Sequence, residues 1–186
     1  MGEKSMVHSA ASGSIPVEGG AIAGGQAARS FAFVAHGDQQ YGDQPYIHHL
    51  DAVASVVASW GFRGSILEAA YLHDVIEDTR VTRSEIASVF GKRVADMVWA
   101  DTAEDGTRDE RMASIYAKAA KDGGAAVVKV ADRIANIEAA EPGSEHAARY
   151  LREDEAFTAA LKPCVPDFAW LRYVAAILRA KTGRGE

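Results

Sequence analysis

The stretch AAYLHDVIEDT, residues 69–79, places His73, Asp74, Glu77 and Asp78 at the end of an apolar run. On a helix of 3.6 residues per turn, Leu67, Ala70 and Tyr71 lead by steps of three or four to Asp74 and Asp78. Ile66 and Ala70 lead likewise to His73 and Glu77. The charged residues therefore continue the apolar stripe instead of lying opposite it. Charges on an inward stripe are costly unless paired or bound to metal. The stretch is thus either a charged, fraying helix end or a polar site built into a helical core.

The surrounding sequence reads as helix almost throughout. AIAGGQAARSFAFVAH runs into GDQQYGDQP, a loop punctuated by Gly and Pro. In YIHHLDAVASVVASWG, His49, Val53, Val56, Val57 and Trp60 fall at helical spacing, with Gly61 as the cap. SILEAAYLHDVIED follows as one helix capped by Ser65. Thr82 and Glu85 form a capping box before a helix that stops at Gly91. KRVADMVWADTAE and RDERMASIYAKAAKD are two further helices. GGAAVVKVADRIANIEAA is apolar nearly all round and hence central, and Pro142-Gly143 ends it. Helices over roughly 144–161 and 166–181 flank KPCVP. No segment shows the alternation of a strand. The expectation is an all-α fold, one bundle of about nine helices over residues 20–182, with a flexible leader over 1–19 and a tail over 183–186.

Composition narrows the classes. The chain has 186 residues and a formal net charge of −6, which argues against a broad nucleic-acid-binding surface while allowing a local basic pocket for phosphates. Its single cysteine, Cys164, cannot form an internal disulfide and reads as a small buried filler in a reducing cytosol. No apolar run approaches the ~20 residues needed to span a bilayer, and the first 20 residues lack the pattern of a secretion signal. A cytoplasmic domain with no membrane partner is expected, and an oligomer stays open. Trp60, Trp99 and Trp170 lie on helical stripes and read as core.

Other apolar helices also carry lone polar groups. Lys129, Asp132 and Asn136 share one side of the most apolar helix, and FAFVAH ends in His36. An Asp in such a helix needs a partner, either a basic side chain or a divalent metal. Together His36, His73, Asp74 and Asp132 offer two imidazoles and two carboxylates, a set suited to Mn²⁺, Fe²⁺ or Zn²⁺. His48 reads as solvent-facing, His49 as structural, and His146 as surface.

The order His, His-Asp, Asp resembles the HD superfamily of metal-dependent phosphohydrolases. The wording AHGDQ, PYIHHL, LHDVIEDT and VKVADRIANI is similar to the hydrolase domain of RelA/SpoT-type enzymes and their small stand-alone relatives, over roughly residues 26–162. The resemblance implies an all-α fold holding one Mn²⁺, with removal of the 3′-pyrophosphate of ppGpp and pppGpp as the activity. It implies His36, His73, Asp74 and Asp132 as metal ligands and Glu77 and Asp78 beside the reacting water. Asn136 is implied at the nucleotide sugar and Tyr150 near the substrate. Such a metal lowers the pKa of bound water and polarises a phosphoryl oxygen. Glu77, one turn from His73, is then placed to hold or deprotonate that water, and Asp78 to share the role or assist the leaving oxygen.

The match breaks in one loop. RelA/SpoT-type hydrolases usually carry an Arg-Lys pair after the first histidine, where this chain has Gln40, Tyr41 and Gly42, and Leu50 replaces their usual proline. Positive charge for phosphates is then expected from Arg108, Arg111 and Lys129, with Gln39 and Tyr41 of the loop as further substrate contacts. The altered loop favours a second reading, hydrolysis of another nucleotide such as a nucleoside phosphate or NADPH. A third is a nucleotide-sensing module without turnover. Against it, all six ligand and catalytic positions are filled.

Overall fold

The computed structural model describes residues 22–182, so the leader over 1–19 and the tail over 183–186 lie outside the described residues. The fold is all-α, with ten α-helices among the described residues. In chain order these are α1 (Ile22–His36), α2 (Ile47–Ser59), α3 (Ser65–Leu72), α4 (Val75–Asp78), α5 (Arg83–Phe90), α6 (Lys92–Asp101), α7 (Arg108–Ala119), α8 (Gly123–Ala139), α9 (Glu145–Leu161) and α10 (Asp167–Thr182). α4 is a single turn, so the expected count of about nine describes the bundle well.

α8 is the central rod. It is buried from Gly124 through Ala135 and packs against α2, α3, α6, α7, α9 and α10. Its sequence accounts for this position, since Ala and Val give close approach on every side. Asp122 caps its start by accepting from the Gly124 and Ala125 amides. The capping box at Thr82 and Glu85 forms as expected, and a second one joins Thr107 to Glu110 at the start of α7.

Three details differ from the sequence reading. Residues 65–78 are two helices, because the chain turns at His73 and Asp74; both keep right-handed helical dihedrals, so the break leaves no propensity signal. Gly64, not Ser65, holds the cap position of α3. The 37–46 loop contains a two-residue antiparallel hairpin pairing Gln40 with Pro45 and Tyr41 with Gln44. Gly42 at its turn has φ +63°, a value that suits Gly at the first central residue of a tight hairpin. Of the three tryptophans, Trp170 is buried and Trp60 and Trp99 are half-buried. Cys164 is also half-buried.

Candidate active site

The turn between α3 and α4, the start of α2 and the middle of α8 bring four donors together. His49 Nε2 lies 3.6 Å from Asp74 Oδ2 and 3.3 Å from Asp132 Oδ1. His73 Nε2 lies 3.0 Å from Asp74 Oδ2 and 3.6 Å from Asp132 Oδ1. His49, His73 and Asp74 each offer a ligand atom within 4.8 Å of the others. The helix break explains this convergence, since it turns His73 and Asp74 together toward α8.

The donors fit a divalent cation. His73 Nδ1 donates to the Ala70 carbonyl at 2.9 Å, which fixes the ring and leaves Nε2 facing the carboxylates. That buried Nε2 makes no hydrogen bond despite its neighbours. Burial alone would disfavour positive charge on His73, yet Asp74 and Asp132 outweigh it and hold the imidazolium well above its usual range. Conversely, burial opposes ionisation of Asp74, and His73 and His49 override it, holding the carboxyl well below its usual range. A pocket that retains positive charge against burial is one that a metal ion can occupy.

The structure corrects the candidate ligand set at one position. His36 is not part of the cluster; the second imidazole there is His49, which the sequence reading had taken as structural. His36 instead stacks on Tyr46 with ring centroids 4.5 Å apart, and its Nδ1 meets Gln39 Oε1 at 2.8 Å. Tyr46 donates to Asp74 Oδ2 at 2.6 Å, so His36 supports the cluster from behind. The signal for His49 was its place on the buried stripe of α2, with Val53, Val56 and Val57.

Around the donors, Asn136 Nδ2 donates to Asp132 Oδ1 at 2.5 Å, and its Oδ1 accepts from Tyr41 at 2.8 Å. Tyr41 also stacks on His49 at 4.7 Å, and burial pushes its phenol up to about 12. Gln39 Nε2 donates to Asp78 Oδ2 at 3.1 Å. Glu77 accepts from Arg111 at 2.5 Å and from the Ala103 amide at 2.8 Å. Tyr150 is buried on α9 under Arg133.

The cations expected to meet phosphates are mostly spent within the protein. Lys129 is buried between Asp101 at 2.7 Å and Asp132 at 2.9 Å, so its charge braces the cluster. Arg108 pairs with Glu153 at 2.6 Å, and Arg111 with Glu77. Two residues had no sequence-level reading: Asp101, the buried partner of Lys129, and Arg133, which is 1% exposed and pairs with Glu153 at 2.9 Å. His146, expected at the surface, is half-buried with its ring against Tyr150.

An all-α bundle with a buried His-His-Asp-Asp cluster defines a class, and comparison places the chain within it. The sequence matches the HD domain family over residues 27–159, and the chain belongs to that family. A probable guanosine-3′,5′-bis(diphosphate) 3′-pyrophosphohydrolase of Synechocystis sp. is 32% identical over 118 residues, covering 58% of this chain and 15% of that protein. A guanosine-3′,5′-bis(diphosphate) 3′-pyrophosphohydrolase of Aquifex aeolicus is 34% identical over 118 residues, covering 60% of this chain and 17% of its own length. The chain thus spans about one sixth of the length of these curated relatives. Among solved structures, a metazoan ortholog of SpoT that hydrolyses ppGpp superposes with a TM-score of 0.71 at 21% identity, covering 93% of this chain and 99% of that one; it shares the fold. HD-domain membership implies a divalent metal, and the cluster is able to hold one. Among the described residues no helix is long and apolar enough to cross a membrane.

Proposed function

We propose that this protein removes the 3′-pyrophosphate of ppGpp and pppGpp, with one Mn²⁺ held by His49, His73, Asp74 and Asp132. The observation that carries the reading is the convergence of these four donors one turn before Glu77 and Asp78. The names of the curated relatives support the substrate. The bound metal supplies an acidified water and a Lewis acid for a phosphoryl oxygen.

The remaining work falls to the protein. Gln39, anchored by His36, fixes one oxygen of Asp78, and Oδ1 of Asp78 has no protein hydrogen bond among the described residues. Asp78 is therefore free to accept or return a proton at Oδ1. Glu77 is held on both oxygens by Arg111 and the Ala103 amide, which orients it beside the turn that carries Asp74. Asn136 and Tyr41 border the cluster and meet the nucleotide sugar.

A second reading has its own support. Gln40, Tyr41 and Gly42 stand where a basic pair is usual, and Tyr41 covers His49. Another phosphorylated nucleotide, such as NADPH or a nucleoside phosphate, would then be the substrate. Turnover with Mn²⁺ on ppGpp, pppGpp, NADPH and nucleoside phosphates, with products separated by ion exchange, decides between them. Pyrophosphate and GDP from ppGpp are expected. Turnover of another compound with ppGpp untouched would refute the substrate and retain the metal site.

A further inference from the structure

Where α7, α8 and α9 meet, Glu153 faces two arginines and a third, Arg149, lies close by on α9. Glu153 serves two arginines at once: its Oε1 accepts from Arg108 Nε at 2.6 Å and its Oε2 lies 2.9 Å from Arg133 Nη1. Arg149 lies four residues before Glu153 on α9, the spacing at which helical ion pairs form. Both oxygens of Glu153 are already engaged, and Arg149 forms no ion pair among the described residues. Two guanidiniums therefore share Glu153, and the third has no carboxylate partner among the described residues.

Arg149 is also held in place. Its Nη2 lies 3.1 Å from His146 Nδ1, its guanidinium sits 5.5 Å from the Tyr150 ring centroid, and its enclosed Nε has no partner. His146 lines a cavity of about 300 Å³ together with Tyr41, Gly42, Glu141 and Ser144. Tyr41 links that cavity to the cluster, since it stacks on His49 and donates to Asn136. The His146 imidazole is depressed by burial and by the nearby Arg149 and Arg108.

We propose that Arg149 binds the non-reacting phosphates of the substrate nucleotide, the 5′-diphosphate, and so supplies the charge that the hairpin loop lacks. This rests on the proposed function, in which the reacting phosphate lies at the cluster and the rest of the nucleotide extends past Asn136 and Tyr41. A guanidinium suits the task because its planar donors match phosphate oxygens in pairs. The rival cation, Arg80, lines a different cavity with Asp78 and Glu85, one that neither Tyr41 nor His146 borders.

The test is calorimetric binding of GDP to the Mn²⁺-loaded full chain, with guanosine as the phosphate-free control. Arg149→Met should weaken GDP about 10- to 100-fold, the loss of charge-assisted hydrogen bonds to one guanidinium. Arg149→Lys should recover part of it, and guanosine affinity should stay unchanged. Arg80→Met should bind GDP as the wild type does. The inference is overturned by an unchanged GDP affinity in Arg149→Met, by an equal loss for guanosine, by an equal loss in Arg80→Met, or by a wild type that does not bind GDP. Activity separates the two readings. Turnover of ppGpp with an unaltered KM in Arg149→Met removes the inference and leaves the function standing. Arg149-dependent GDP binding without any ppGpp turnover does the reverse.

Discussion

Replacing Lys129 with Met separates a structural cation from a substrate-binding one. Lys129 is 8% exposed and lies between Asp101 at 2.7 Å and Asp132 at 2.9 Å. In the variant, Asp132 keeps Asn136 and the two imidazoles, whereas Asp101, 4% exposed, loses its only ion-pair partner among the described residues. A carboxylate stranded in the core takes up a proton instead of remaining charged. Protonating a carboxyl of ordinary pKa about 3.9 at pH 7 costs 1.36 kcal/mol for each pH unit, about 4 kcal/mol in all. That figure lies within the roughly 3–5 kcal/mol measured when one member of a buried pair is removed, and it is a large share of the 5–15 kcal/mol of a typical domain.

The sign is fixed by linkage. Burial already holds the Asp101 carboxyl above its usual range against the pull of Lys129, and losing Lys129 raises it further. The added destabilisation therefore grows with pH above about 4, to at most about 4 kcal/mol at pH 7, and is at most about 1.5 kcal/mol at pH 5. Urea unfolding of wild type and variant at pH 5 and pH 7 measures both numbers, and Asp101→Asn in the Lys129→Met background should recover most of the pH 7 loss. A variant of wild-type stability at pH 7 with a raised KM would refute this reasoning and return Lys129 to the substrate.

His49→Ala should lower Mn²⁺ affinity at least about 100-fold in calorimetry, whereas His36→Ala, one layer behind, should stay within the roughly 10- to 100-fold range of supporting residues; equal or reversed losses would restore His36 as a ligand. Glu77→Gln and Asp78→Asn should each retain metal yet lose about 10²- to 10⁴-fold in kcat, and near-normal turnover in both would remove the carboxylate pair from the mechanism. Burial opposes ionisation of Glu153, but Arg108 and Arg133 outweigh it and hold its carboxyl below the ordinary 4.5. Its stabilisation is therefore present above pH 4.5 and lost as pH falls through the depressed value. Wild type should lose stability more steeply than Glu153→Gln between pH 5 and 3, and parallel curves would contradict the pairing.

The helices were legible because their signals are local. The Thr82–Glu85 capping box, the Gly91 stop and the all-round apolar face of 123–140 each declare themselves within a few residues, and each appears where the sequence places it. The break at His73-Asp74 escaped because both residues keep helical dihedrals, and no Gly or Pro marks it. Yet the helical projection survived this error, since a turn between two short helices still faces the core. The pairing of the cations escaped for a different reason. Arg108, Arg111 and Lys129 read as positive charge for phosphates along the chain, but Glu153, Glu77 and Asp101 lie on other helices, beyond any local pattern; only Asp132, three residues after Lys129, was within local reach. The same limit decided between two histidines. His36 and His49 both sit on apolar helical faces, and composition cannot rank them. What distinguishes them is the direction of approach to α8: His49 opens the helix that packs along α8 and meets Asp132, while His36 ends a helix that packs chiefly on α3. Donor types are thus readable in one dimension, and the identity of each donor follows from which helix touches the central one.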